Sequence, residues 1–247
     1  MPGSIPPIGY GSMPPHAPGW RPPSSAAFVP QQYAVLPAPL VRLQSKPDPR
    51  LVLLTDPDGA RSVSFRLLRD NLLSKRLPRV LAVTSPVKKD GKTTCALNLA
   101  LSLSEGARVL LVEGNLQEPQ LAQIFGIDDA VPSMPNMPWL GNYKVVELSP
   151  TFHVSAPSVR TLPQRFDKTW FEQLFGSFRR FNYNFIVIDC AALEDSPTMA
   201  QLIGMADATL LAVRSGVTTA RSLRRASEQI PTGRGIGVAL IDAKLRP

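Results

Sequence analysis

Residues Val83–Thr94 read VTSPVKKDGKTT: an apolar run ending at Thr84, a short polar loop, and Gly91-Lys92-Thr93 at the head of a segment where Ala96, Leu99 and Leu103 recur at helical spacing. A helix that opens there points its unpaired N–H groups and the positive end of its dipole back into the loop. Glycine at position 91 lets the backbone come close to whatever the loop holds. The ammonium of Lys92 and the hydroxyl of Thr93 complete the groups that a phosphate and its divalent cation require. Gly-Lys-Thr alone is a weak signal, and its place between an apolar strand and an apolar-periodic helix gives it meaning.

Outward from this point, short apolar runs alternate with helical stretches. Strands are expected at Val80–Thr84, Val109–Val112, Phe185–Asp189, Thr209–Val213 and Gly237–Ile241, and helices over 92–105, 168–181 and 219–229. Runs that are apolar throughout, rather than alternating, belong to strands covered on both faces. The pattern predicts an α/β fold of the P-loop NTPase class: a doubly wound, mostly parallel sheet with helices on both faces. An amphipathic helix precedes it, ending near Arg76, with Phe65, Leu68 and Leu72 on one face and Arg66 and Arg69 on the next. The stretch from Asp128 to Arg165, rich in Pro, Met and Asn, reads as loop with one strand around Lys144–Leu148.

The first fifty residues hold 13 of the chain's 26 prolines, a composition that cannot sustain helix or sheet ladders. Residues 1–50 are therefore expected to be a disordered, Pro-rich tail, with the folded domain over 51–247. Within the tail Tyr10, Trp20 and Tyr33 are candidate docking or modification points on an otherwise solvated tether. Two unpaired-looking cysteines, Cys95 and Cys190, sit in apolar segments and suggest buried thiols in a reducing compartment. No run reaches the ~20 apolar residues of a membrane helix and no leader pattern is visible, so a soluble cytoplasmic protein is expected. The net charge of +8 suits anionic ligands, but Arg221, Arg224, Arg225 and the loop lysines lack the interleaved aromatics of a nucleic-acid surface, which makes nucleic acid an unlikely partner.

Two further strands end in acids: LLVEGN places Glu113, and FIVID places Asp189, at strand ends that a parallel sheet gathers beside the loop. The expected site therefore binds ATP and Mg²⁺. Lys88, Lys89, Asp90, Gly91, Lys92, Thr93 and Thr94 form the cradle. Thr93, Glu113 and Asp189 serve the metal, and Lys92, Glu113 and Asp189 the chemistry. For any single acidic strand end, a turn cap is the simpler explanation.

At family level the chain resembles the bacterial tyrosine kinases of capsule and exopolysaccharide synthesis, within the deviant Walker-motif ATPases that include the MinD and ParA groups. The resemblance runs from about Asp56 to Asp242. VTSPVKKDGKTT stands for the Walker A loop, LLVEGNLQEP for the strand followed by Asp-x-Asp-x-Arg, and FIVIDCAA for Walker B. FRLLRDNL resembles the helix whose Glu-x-x-Arg-x-x-Arg motif joins subunits into a ring, and ADATLLAVRSGVTTARSLRRA the strand and helix beyond Walker B. The resemblance implies an ATP-dependent tyrosine autokinase. It would act in the cytoplasm, at the inner membrane through a membrane polysaccharide co-polymerase, with self-assembly through the helix of Arg66 and Arg69.

Departures from the family pattern fall on functional positions. Lys88 and Lys89 replace Pro-Gly, Glu113 replaces the first Asp, Asn115 the second, and Gln117 the Arg. Val63 replaces the ring-forming Glu, Cys190-Ala191-Ala192 the Ser/Thr-Pro-Pro, and Ile241 a base-contacting Asn. No tyrosine follows Tyr183, so the resemblance implies an acceptor in the tail, at Tyr10 or Tyr33, or on another protein. A nucleotide-binding regulator that has lost turnover is a second expectation. A ParA-like positioning ATPase is a third, opposed by Val87 where that group carries its signature lysine.

Overall fold

The structure, a computed structural model, describes residues 38–40, 46–127, 143–157, 168–194 and 197–242. Tyr10, Trp20 and Tyr33, with the rest of residues 1–37, lie outside the described residues, as does most of the Asp128–Arg165 segment. In chain order the elements are α1 (Val52–Thr55), α2 (Ala60–Ser74), β1 (Val80–Thr84), α3 (Lys92–Ser104), β2 (Val109–Gly114), α4 (Leu121–Phe125) and β3 (Tyr143–Ser149). There follow β4 (Phe152–Pro157), α5 (Lys168–Phe178), β5 (Phe185–Cys190), α6 (Pro197–Met205), β6 (Ala208–Arg214), α7 (Ala220–Gln229) and β7 (Gly235–Ile241).

The seven strands form one sheet in the order β3-β4-β2-β5-β1-β6-β7. Every pairing is parallel except β3 with β4. The central strands are buried along their whole length, which is why their sequences are apolar without alternation. Successive residues nonetheless divide between two cores. Leu81, Val83, Val109, Leu111 and Val187 face one layer with α3, while Val80, Ala82, Leu110, Val112, Ile186 and Ile188 face the other with α5 and α6. Helix α3 is the pivot of the first layer: it is buried nearly all round, and a helix apolar on every side belongs inside.

Asn98 interrupts that apolar surface for a reason. Its amide nitrogen donates to Arg50 O (2.7 Å) and Thr94 O (2.8 Å), and its oxygen accepts from Leu53 N (3.3 Å). The segment Arg50–Leu53 is thereby fixed against the first turns of α3. Part of what the composition assigns to the tail touches the fold as well: Pro39 O accepts from Glu147 N (2.9 Å), and Leu40 bridges Glu147 in parallel.

The expected single strand around Lys144–Leu148 is the first arm of a β3–β4 hairpin whose second arm continues the parallel sheet beside β2. On β4, His153 is fully buried, with Nδ1 at 2.7 Å from the Tyr183 hydroxyl and the Arg108 guanidinium over the Tyr183 ring. Burial, reinforced by Arg108, holds its pKa down to about 4. An unfolded histidine titrates near 6.5, so unfolding takes up a proton between those values, and the stability present above pH ~6.5 is lost as pH falls through the window. A His153→Gln variant is expected to show a smaller change in melting temperature between pH 7 and pH 4.5 than the wild type. Equal slopes for the two proteins would assign the acid limb to other groups.

Candidate functional site

The loop after β1 is held by its neighbours before any ligand arrives. Thr84 Oγ1 donates to Ala191 O (2.6 Å), Leu193 N to Ser85 O (2.9 Å) and Ser85 Oγ to Val87 O (2.7 Å). Lys89 and Gly91 both take left-handed φ, 63° and 88°, and the glycine caps α3 while its carbonyl accepts from Cys95 N (2.9 Å). Asp90, expected in the cradle, is turned inward and fully buried. Its Oδ1 accepts from Thr218 Oγ1 (2.7 Å) and its Oδ2 from Val87 N (3.4 Å), so it pins the loop to the turn before α7.

Lys92 and Thr93 open α3 and are both buried. Asp189 sits on β5 opposite Val83 of β1, at the sheet edge where the loop begins. Its two carboxylate oxygens are buried with no hydrogen-bond partner. Burial drives its pKa up; the approach of the Thr93 hydroxyl, which falls outside hydrogen-bond geometry, and the charges of Lys92 and Arg50 pull it down. An isolated buried carboxylate costs several kcal/mol and persists where something charged completes it. A divalent cation held jointly by Thr93, water and phosphate oxygens fits that deficit. Among the described residues no group of three or more His, Cys, Asp and Glu could hold a metal ion, so a cation here would draw on ligand oxygens.

Glu113 is the cross-strand partner of Asp189, and the structure brings the two expected acids together. Its own oxygens, however, already accept three backbone N–H groups: Asn115 to Oε1 (3.1 Å), and Gln120 (2.7 Å) and Leu121 (2.8 Å) to Oε2. Burial and then Asp189 raise its pKa, opposed by those three donors. Glu113 therefore folds the β2–α4 turn in addition to facing the site. Asn115 closes the same turn, donating Nδ2 to Glu118 O (3.0 Å) and accepting Glu118 N at Oδ1 (3.4 Å).

Lys88 was expected in the cradle, but its partners Glu118 and Glu194, and Arg50 nearby, carry no motif and escaped the sequence. Lys88 donates its backbone N–H to Glu194 Oε1 (2.9 Å) and its ammonium to Glu118 Oε1 (3.2 Å), tying the loop after β1 to the turns after β2 and β5. Arg50 anchors to Asp48 and to Gln120. Beside Gly91 and Thr94 a cavity of about 320 Å³ is lined by Pro49, Arg50, Val52, Arg61, Lys89, Arg214, Ile241 and Asp242. Arg66 and Arg69, expected to reach another subunit, converge on one acid of their own chain: Arg66 Nε lies 2.8 Å from Glu105 Oε1 and Arg69 Nη1 2.5 Å from Oε2. Cys95 and Cys190 are buried free thiols, with burial pushing Cys95 up to about 12 and Cys190 well above its ordinary range. No helix among the described residues is long and apolar enough to cross a membrane.

No family model matches the chain. It is 23% identical over 197 residues to the tyrosine-protein kinase YwqD of Bacillus subtilis (strain 168), covering 74% of this chain and 80% of that protein. Among solved structures it superposes on the chimerical protein CapA2B2 with a TM-score of 0.63 at 21% identity, covering 82% of this chain and 92% of that one. The kinase domain of the Escherichia coli tyrosine kinase ETK gives a TM-score of 0.62 at 16% identity, over 83% and 85% of the two chains. The chain is a distant homologue of bacterial tyrosine kinases, built on the same α/β fold.

Proposed function

We propose that the chain binds Mg·ATP at the head of α3 and acts as a tyrosine-protein kinase of the autokinase type in exopolysaccharide or capsule assembly. The observation that carries this is the buried, unpartnered carboxylate of Asp189 beside Lys92 and Thr93. Lys92 would grip the outer phosphates, and Thr93 and Asp189 would hold the magnesium, which when bound neutralises phosphate charge. Glu113, through its turn, sets the distance between that site and the loop of Asn115 and Gln117. We place the protein in the cytoplasm, at the inner membrane through a polysaccharide co-polymerase.

One observation favours the second reading, a nucleotide-binding regulator that has lost turnover: Asn115 has its amide spent on the Glu118 turn and offers no carboxylate to accept a hydroxyl proton. Labelled ATP separates the two. Purified protein with Mg²⁺ and γ-labelled ATP is expected to yield ADP and phosphotyrosine. Lys92→Met is expected to weaken nucleotide binding roughly 10- to 100-fold, the worth of one charge-assisted contact. Turnover no higher than in Lys92→Met, with ATP still raising the melting temperature, removes the kinase reading and leaves the regulator.

A further inference from the structure

Phosphoryl transfer to a tyrosine calls for a group that accepts the hydroxyl proton within hydrogen-bond reach of the acceptor, and Asn115 has no carboxylate for it. The acids around the loop after β1 are, with one exception, committed elsewhere. Glu113 accepts three backbone N–H groups. Asp90 is turned inward and shared between Thr218 and Val87. Asp189 is wholly buried at its strand end, where an incoming tyrosine ring has no access. Glu118 is held by the Lys88 ammonium at 3.2 Å.

Glu194 is the exception. It is the first exposed residue after β5, following the buried Ala191, Ala192 and Leu193. Two hydrogen bonds lay this run along the loop: Thr84 Oγ1 donates to Ala191 O (2.6 Å) and Leu193 N to Ser85 O (2.9 Å). The Glu194 side chain is thereby carried to the solvent side of the loop, where its Oε1 accepts the backbone N–H of Lys88 at 2.9 Å. Lys88 lies between the end of β1 and Gly91, in the stretch whose N–H groups a loop of this kind turns toward phosphate. One oxygen thus orients the carboxylate at the mouth of the loop. The other, Oε2, makes no hydrogen bond or ion pair among the described residues. Orientation through one oxygen, an open oxygen beside it and exposure to water are what a proton acceptor for a large, incoming hydroxyl requires.

Resting on the kinase reading, we propose that Glu194 is the catalytic base of the transfer, supplying the carboxylate that position 115 lacks. As the tyrosine oxygen forms its bond to the γ-phosphorus, the bond from that phosphorus to the β–γ bridging oxygen breaks and ADP departs with the electron pair. The hydroxyl proton moves to Glu194 Oε2 and from there to water, which restores the carboxylate.

Single-turnover rates of phosphotyrosine formation test this, measured with γ-labelled ATP and Mg²⁺ on the full chain, alone and with a glutamate–tyrosine copolymer as acceptor. Glu194→Gln is expected to lower the rate about 100-fold or more, the worth of a general base. Its calorimetric Kd for ATP should stay within about two-fold of wild type, because the amide oxygen still accepts the Lys88 N–H; that unchanged affinity certifies the fold of the variant. Glu194→Asp should recover part of the loss. A fall in rate of less than about ten-fold in Glu194→Gln overturns the proposal, and tighter ATP binding at an unchanged rate would make the side chain a competitor of phosphate for the loop. A greater loss in Glu118→Gln than in Glu194→Gln also overturns it, passing the role to the other acid. Wild-type turnover that survives Glu194→Gln removes this inference alone, whereas wild-type protein that binds ATP and forms no phosphotyrosine on either acceptor removes the kinase reading together with it.

Discussion

Replacing Asp189 by asparagine is expected to raise the melting temperature of the ligand-free protein at pH 8 while abolishing its Mg²⁺-dependent response to nucleotide. The wild-type side chain is buried with both oxygens unpartnered and faces Glu113 across the parallel pair. Asparagine keeps the polar atoms buried but removes the charge, whose extra cost over a neutral unsatisfied group is about 1 kcal/mol or more, roughly 2–4 °C for a domain of this size. Both acids are raised above their ordinary range, so the folded state holds protons that the unfolded chain has released. Stability is therefore present at acid pH and lost as pH rises from ~4 toward the folded values. The gain from Asp189→Asn should shrink at pH 5.5, where the wild type carries its proton, and this pH dependence is the check. Saturating Mg·nucleotide at ~100 Kd is worth about 2.7 kcal/mol to the wild type. A variant that keeps that shift in full would remove Asp189 from the metal.

Gly91→Ala is expected to be severe for a residue that buries nothing of its own. The position sits at φ 88°, where a Cβ costs about 1–2 kcal/mol. The added carbon would also lie 2.9 Å from Ile241 Cγ2 and 3.3 Å from Cγ1, an overpacking of about 1–3 kcal/mol. Together these predict a fall of about 2–5 kcal/mol in stability, with at least a ten-fold loss of nucleotide affinity as the head of α3 shifts. Pairing it with Ile241→Ala separates the causes: the double variant should regain the steric part of the stability and not the conformational part. Full recovery would mean that the left-handed backbone is not required there.

The parallel core was legible because strands with no solvent face must be apolar at every residue, and VLAVT, VLLVEG and FIVIDC are nearly so. Strand β4 was missed although Phe152, Val154 and Ala156 alternate with His153 and Ser155, because the polar members of that alternation are buried too and read as loop. Helix α6 hid behind the Pro197 that opens it and the Gly204 near its end. At the site, Lys92, Thr93 and Asp189 could be anticipated from strand ends and a helix start. The duties of Glu113 and Asp90 could not, since capping backbone N–H groups or a distant threonine leaves no spacing in the sequence. Arg50 and Glu194 reach the loop from residues 41 before and 103 after Gly91, a closeness that only the three-dimensional chain path creates.

Glu105 alters the character of α2. With Arg66 and Arg69 both folded onto it, the large apolar side chains that this helix leaves outward are Val63, Leu67 and Leu73, exposed at 46%, 63% and 42%, beside the exposed Arg61 and Asp70. Contact through such a ridge would tighten on warming and tolerate concentrated salt, the reverse of a seam stitched by guanidinium and carboxylate. Ionic strength and temperature, rather than mutation, would tell the two kinds of assembly apart.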